Sequence, residues 1–178
     1  FKPSQQMSVS LDYWRYDYED IIVKESAEGV LAADPNDPKI IRDPITNSIT
    51  RVNLDFINAS SVVTDGIDLI FDYRLPTDKG VFGVNSNSTY INSYQLKERN
   101  GGEAIDAVGQ RNELNIARPL PPWRSMLTFS WLYTNHEVST TSRYTDSYDD
   151  DANDDASVDH HLTQDIQYRY FLPLIKMI

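Results

Sequence analysis

The chain has 178 residues, with 27 acidic and 16 basic side chains and a formal net charge of -11. No apolar run is long enough for a transmembrane helix, and so negative a chain lacks the basic face that nucleic-acid phosphates demand. Cysteine is absent, which excludes disulfides, thiolate zinc sites and a thiol nucleophile; eleven Tyr, six Phe and three Trp make it too aromatic and too patterned for disorder.

Helical spacing is nearly missing, whereas alternation with period two recurs. The first expected strand covers roughly 5–24, where Met7, Val9, Leu11 and Tyr13 alternate with Ser8, Ser10 and Asp12. A long polar loop follows over about 25–48. The second strand covers 49–75; Ile67, Leu69, Phe71, Tyr73 and Leu75 share one face, and Asp68, Asp72 and Arg74 the other, with Ile70 as the exception. Pro76-Thr77-Asp78-Lys79-Gly80 has the chemistry of a tight turn. A third strand runs over 80–97, then a loop over 98–113 in which Gly101 to Gly109 invites a short helical turn. The fourth strand spans 114–133, with Leu127, Phe129, Trp131 and Tyr133 on one side. A short turn at Tyr133-Thr134-Asn135-His136 leads to the fifth, 136–147. After a polar loop, 148–161, the sixth covers 162–173, with Ile166, Tyr168, Tyr170 and Leu172 against Asp165, Gln167 and Arg169. These are strands with one apolar and one polar face.

Short and long connections alternate, so antiparallel strands place the short turns at one end and the long loops at the other. Two aromatic bands result: Tyr73, Phe82, Trp131, Tyr133, Tyr170 and Phe171 toward the short turns, and Tyr13, Trp14, Tyr90, Tyr94 and Tyr144 toward the long loops. Aromatic bands around an apolar strip match a barrel in a bilayer. An antiparallel β-sandwich shares the alternation. Strand length, loop asymmetry and the placing of Asp12, Asp68, Asp72, Arg74, Asp165 and Arg169 away from lipid favour the barrel. Arg15, Asp17 and Glu19 share the parity of Tyr13, which requires that they lie beyond the membrane or follow a bulge. The expected fold is therefore all-β: an antiparallel up-and-down transmembrane β-barrel, here an open curved sheet of about six strands from a larger barrel, with 1–178 as one partial domain. The start at Phe1 and the apolar finish at Leu174 to Ile178 read as a segment of a longer protein.

Four stretches then carry a family likeness. Val9-Ser10-Leu11-Asp12-Tyr13-Trp14-Arg15-Tyr16, continuing to Asp20-Ile21-Ile22, is one. Asn58 with Thr64-Asp65-Gly66-Ile67-Asp68-Leu69 and Tyr73 is the second. Pro122-Trp123-Arg124 before Leu127-Thr128-Phe129-Ser130-Trp131 is the third, and Thr163-Gln164-Asp165-Ile166-Gln167-Tyr168-Arg169-Tyr170 the fourth. In order and spacing they resemble the C-terminal β-barrel of TonB-dependent outer-membrane receptors. The plug domain, the TonB-engaging segment and the family's last strand ending in an aromatic residue have no counterpart here. The resemblance implies a bacterial outer-membrane receptor for energised uptake of a scarce ligand such as a siderophore, a cobalamin or an oligosaccharide. Its partners would be outer-membrane lipid, TonB through the plug, and a ligand at the outer loops. Rival readings are a soluble secreted β-sandwich that binds carbohydrate, and a passive porin-type barrel.

Metal and catalytic chemistry finds little support. In the acidic run from Asp146 to Asp159, Asp149, Asp151 and Asn153 fit the first three positions of an EF-hand loop, but Asp154 stands where Gly is needed and His160 where a bidentate Glu is needed. Loose Ca²⁺ binding by an outer loop and a merely solvated polar loop are the remaining readings. His160 and His161 are adjacent, so their side chains diverge, and His136 is expected at the opposite end. No nucleophile elbow, zinc-protease helix or phosphate-binding Gly loop occurs. The Asn-x-Ser/Thr triplets at Asn58 and Asn87 are treated as chance matches. No residue is assigned as catalytic, cofactor-binding or metal-ligating; no cofactor and no enzymatic activity are expected.

Overall fold

The computed structural model describes residues 1, 4–25, 27–97, 104–113, 115, 117–153 and 156–172. In chain order these give β1 (Met7–Lys24), α1 (Ala27–Ala33), β2 (Ile40–Arg42), β3 (Ile49–Val52), β4 (Phe56–Thr77), β5 (Gly80–Lys97), β6 (Ile105–Asp106), β7 (Trp123–Tyr133), β8 (His136–Thr145), β9 (Tyr148–Asp149), β10 (Ser157–Val158) and β11 (His161–Tyr170).

Six long strands form one antiparallel meander in the order β1-β4-β5-β7-β8-β11. Every neighbour in space is the next long strand in sequence, as the short–long alternation of connections requires. The sheet is open: β1 and β11 are its two edges and do not pair. Asp78-Lys79 and Thr134-Asn135 form the tight turns between β4 and β5 and between β7 and β8. Gly80 at φ +109 and Thr134 at φ +50 supply the left-handed backbone there. The Trp131 indole N–H donates to the Lys79 carbonyl at 2.9 Å, tying the β4–β5 turn to β7. Pro76 is tolerated in β4 because β1 begins opposite Tyr73, leaving that stretch an edge.

The expected strand boundaries hold except in two places. The stretch 49–75 is two strands, β3 and β4, broken at Asn53–Asp55. The stretch 114–133 becomes strand only at Trp123, because Pro119, Pro121 and Pro122 donate no ladder hydrogen bonds. The expected helical turn near Gly101–Gly109 falls partly on 98–103, outside the described residues; Ile105–Asp106 is a short strand paired with Gln95 and Leu96. Residues 173–178, with the end of the sixth expected strand, also lie outside them.

The loop after β1 is not an irregular polar segment. It holds α1 and the β2–β3 hairpin, with Val30 and Ile40 buried between them. The Lys39 ammonium contacts Glu25 at 2.6 Å and Asp55 at 3.3 Å, closing the base of this subassembly. Among the described residues, Val62, Leu96 and Ala107 are also buried, all at the long-loop end. The accessible surface is 12924 Å², whereas a compact monomer of 20.4 kDa exposes about 8,800 Å². The excess follows from a single sheet whose faces are left largely uncovered.

Candidate functional site: two faces and a loop end

The register assigns each side chain to a face. One face carries six rows across the sheet. At the short-turn end lie Tyr133, His136 and Tyr170, followed by Leu75, Phe82, Trp131, Val138 and Tyr168. Next come Met7, Tyr73, Val84, Phe129, Thr140 and Ile166, and then Val9, Phe71, Ser86, Leu127, Ser142 and Gln164. Leu11, Leu69, Ser88, Ser125, Tyr144 and Leu162 follow, and Tyr13, Ile67, Tyr90 and Trp123 lie at the long-loop end. Many of these apolar side chains stand exposed, among them Leu11, Tyr13, Phe82, Phe129, Ile166 and Tyr168. Aromatic rings concentrate in the outer rows: Phe82 and Trp131 stack at 6.4 Å, and Trp123 and Tyr144 meet at 5.3 Å. Trp131 and Trp123 are eight residues apart in β7, about 26 Å along a strand, or about 20 Å of height at a tilt near 40°. A shallow apolar depression of about 230 Å³ lies on this face among Phe82, Val84, Phe129, Trp131 and Val138.

The opposite face is polar and internally bonded. The Asn85 amide donates to Asp72 at 2.6 Å and the Thr89 hydroxyl to Asp68 at 2.6 Å. Thr128 and Thr141 share a hydrogen bond at 2.9 Å. Arg143 pairs with Asp165, and Arg169 with Glu137 at 3.2 Å. Thus Asp68, Asp72, Asp165 and Arg169 take the positions expected of them.

Arg15, Asp17 and Glu19 follow no bulge in the pairing with β4. The β1–β4 register runs without a shift from Met7 to Glu19, so these charges keep the parity of Tyr13 and lie past the last apolar row. The irregularity sits in the next pair instead, where Asn92 is the extra residue opposite Asp65 and Gly66. Asp65 holds this bulge, accepting from Ser93 Oγ at 2.5 Å and Asn92 Nδ2 at 2.9 Å.

Two members of the expected long-loop aromatic band are misplaced. Trp14 pairs with Gly66, and Tyr94 with Thr64, which puts both on the polar face. Trp14, Tyr16 and Tyr18 form a row there, with centroids 5.6 and 5.9 Å apart. Gly66 makes the row possible: a Cβ at that position would collide with the Trp14 indole and with the Tyr90 carbonyl oxygen. The signal was present in sequence as alternation among 14, 16 and 18, opposite in phase to Leu11 and Tyr13.

The long loops are built, not slack. The Asn112 amide nitrogen donates to the carbonyls of Ala107, Gln110 and Arg118 at 2.9, 3.1 and 2.8 Å, from a backbone at φ +60. Arg111 clamps this loop to the acidic one, contacting Asp150 at 2.8 Å and Glu113 at 2.5 Å. The Asn153 amide first, and the Arg111 guanidinium with it, hold the Asp150 carboxyl below its ordinary value. Of the proposed EF-hand positions, Asp149 exchanges backbone hydrogen bonds with Gly109 and Arg111, and Asp151 accepts from the Glu113 N–H at 3.0 Å. Asp154 and Asp155 lie outside the described residues. Among the described residues no three His, Asp or Glu side chains gather as metal ligands. His136 contacts the Tyr168 hydroxyl at 2.8 Å at the short-turn end, while His160 lies against Tyr144 and His161 opens β11 at the other.

No family model matches the chain, and no curated protein or solved structure matches it either.

Proposed function

We propose that this chain is a six-strand section of an outer-membrane β-barrel of the TonB-dependent receptor type, serving energised uptake of a scarce ligand. The observation that carries the reading is the two-faced meander. One face is apolar, exposed and bordered by aromatic rings; the other is polar and cross-linked by its own hydrogen bonds. A lipid-facing exterior and a watery lumen demand that division. Six strands fall short of the eight in the smallest barrels, and both sheet edges are open, so further strands must complete the wall. The built loops, all at one end, would face outward.

A β-sandwich would cover its apolar face with a second sheet, whereas all six long strands here share one sheet. The test is the coding sequence on either side. A plug domain upstream with further alternating strands downstream is the expected result. Further strands without a plug would replace the receptor with a passive barrel, and neither would overturn the barrel.

A further inference from the structure

We propose that the row Trp14, Tyr16 and Tyr18 on the polar face is a stacking site for a neutral oligosaccharide. The inference rests on the barrel reading for its view of that face as lumen, because rings turned away from lipid cannot serve as membrane anchors.

Beside the row on the same face, Thr64 lies opposite Tyr16 and Val62 opposite Tyr18, with Leu96 beyond Val62; these three are buried, whereas Tyr16 remains 52% and Tyr18 48% exposed. The ring planes of the row are turned from one another by only 33° and 23°. Successive ring contacts at such spacing suit a chain of sugar rings, whose C–H faces meet aromatic π faces. The apolar surface continues past the row to Ile22 and Phe56, 74% and 76% exposed.

Polar groups beside the row match hydroxyl-rich ligands. Beyond Tyr18, Asn58 Nδ2 donates to the Asp20 carboxylate at 3.2 Å, and the exposed Asp20 oxygens are acceptors suited to sugar hydroxyls. Charge makes the same choice: Asp12 and Asp20 flank the row at its own parity, with Asp68 opposite Asp12, in a chain of net charge -11. That field repels anionic chelates and is indifferent to a neutral glycan.

The full-length protein in detergent micelles is titrated with neutral hexasaccharides of α-1,4-glucan, β-1,4-glucan, β-1,4-mannan and β-1,4-xylan, following tryptophan emission. At least one is expected to bind and shift the emission. Tyr16→Ala with Tyr18→Ala should weaken that binding about tenfold or more, while Tyr168→Ala on the apolar face leaves it unchanged. Binding by none of the four at millimolar concentration overturns the site, as does binding that the double variant leaves intact. The same preparations are reconstituted into vesicles. Inserted protein without sugar binding sinks the glycan site alone, whereas protein that stays out of the bilayer sinks the barrel reading.

Discussion

Gly66 shows how much one residue can decide. It is not a turn residue; it sits within β4 and lies beneath the Trp14 indole. Gly66→Ala should displace that ring and the Tyr90 carbonyl, costing about 1–3 kcal/mol, with a shifted Trp14 emission as the readout. Retained stability and an unshifted spectrum would contradict the packing described. Asn112 is a second such residue, only 4% exposed. Asn112→Ala removes the donor that three carbonyls share and forces a Cβ-bearing residue without a compensating side-chain bond to hold φ +60. The expected loss is about 2–3 kcal/mol, seen as faster amide hydrogen exchange over 105–120.

At the scale of elements, the strands were legible because alternation writes each face directly into the sequence. β5 begins at Gly80 as expected, since turn residues precede it, and runs to Lys97, the last described residue before 98–103. The loop after β1 was not legible. Its helix is seven residues long with one buried residue, Val30, too short to show a helical period. It is organised by Lys39 reaching Glu25 and Asp55, contacts between residues distant in sequence. The side of Trp14 was misread for a related reason: grouping aromatics by height along the sheet ignored their phase. The pairing of Glu25 with Lys39 also has a pH consequence. The Lys39 hydrogen bond, helped by the Asp55 N–H, lowers the Glu25 pKa, and Glu25 in turn raises that of Lys39. The lowered carboxylate contributes stability above its ordinary value of 4.5 and loses it as pH falls through the depressed one. The raised ammonium contributes below 10.5 and loses its part as pH climbs past that. Protection from hydrogen exchange over 25–55, corrected for the intrinsic pH dependence of amide exchange, should therefore be greatest around neutrality and fall below pH 4.5; protection unchanged there would contradict the clamp.

The whole molecule is a sheet that exposes apolar surface on one side and satisfies its polar groups on the other. In water alone that division is costly, at about 25 cal/mol for each Å² of apolar surface left wet. In a bilayer the same division is what a wall strand needs. A charge placed midway between Trp123 and Trp131 separates the two settings. Leu127→Arg on the apolar face should cost about 2–4 kcal/mol in lipid, whereas Thr128→Arg on the polar face should be tolerated; folding in vesicles of defined thickness measures both.

The most direct test of the central claim uses the three tryptophans, which the register divides between the faces. Single-tryptophan forms of the full-length protein, with the other tryptophans replaced by phenylalanine, are inserted into vesicles containing lipids brominated along their acyl chains. Trp123 and Trp131 should be quenched, and Trp14 should not. Equal quenching of all three, or quenching of Trp14 alone, would contradict the assignment of the apolar face to lipid and the polar face to the lumen.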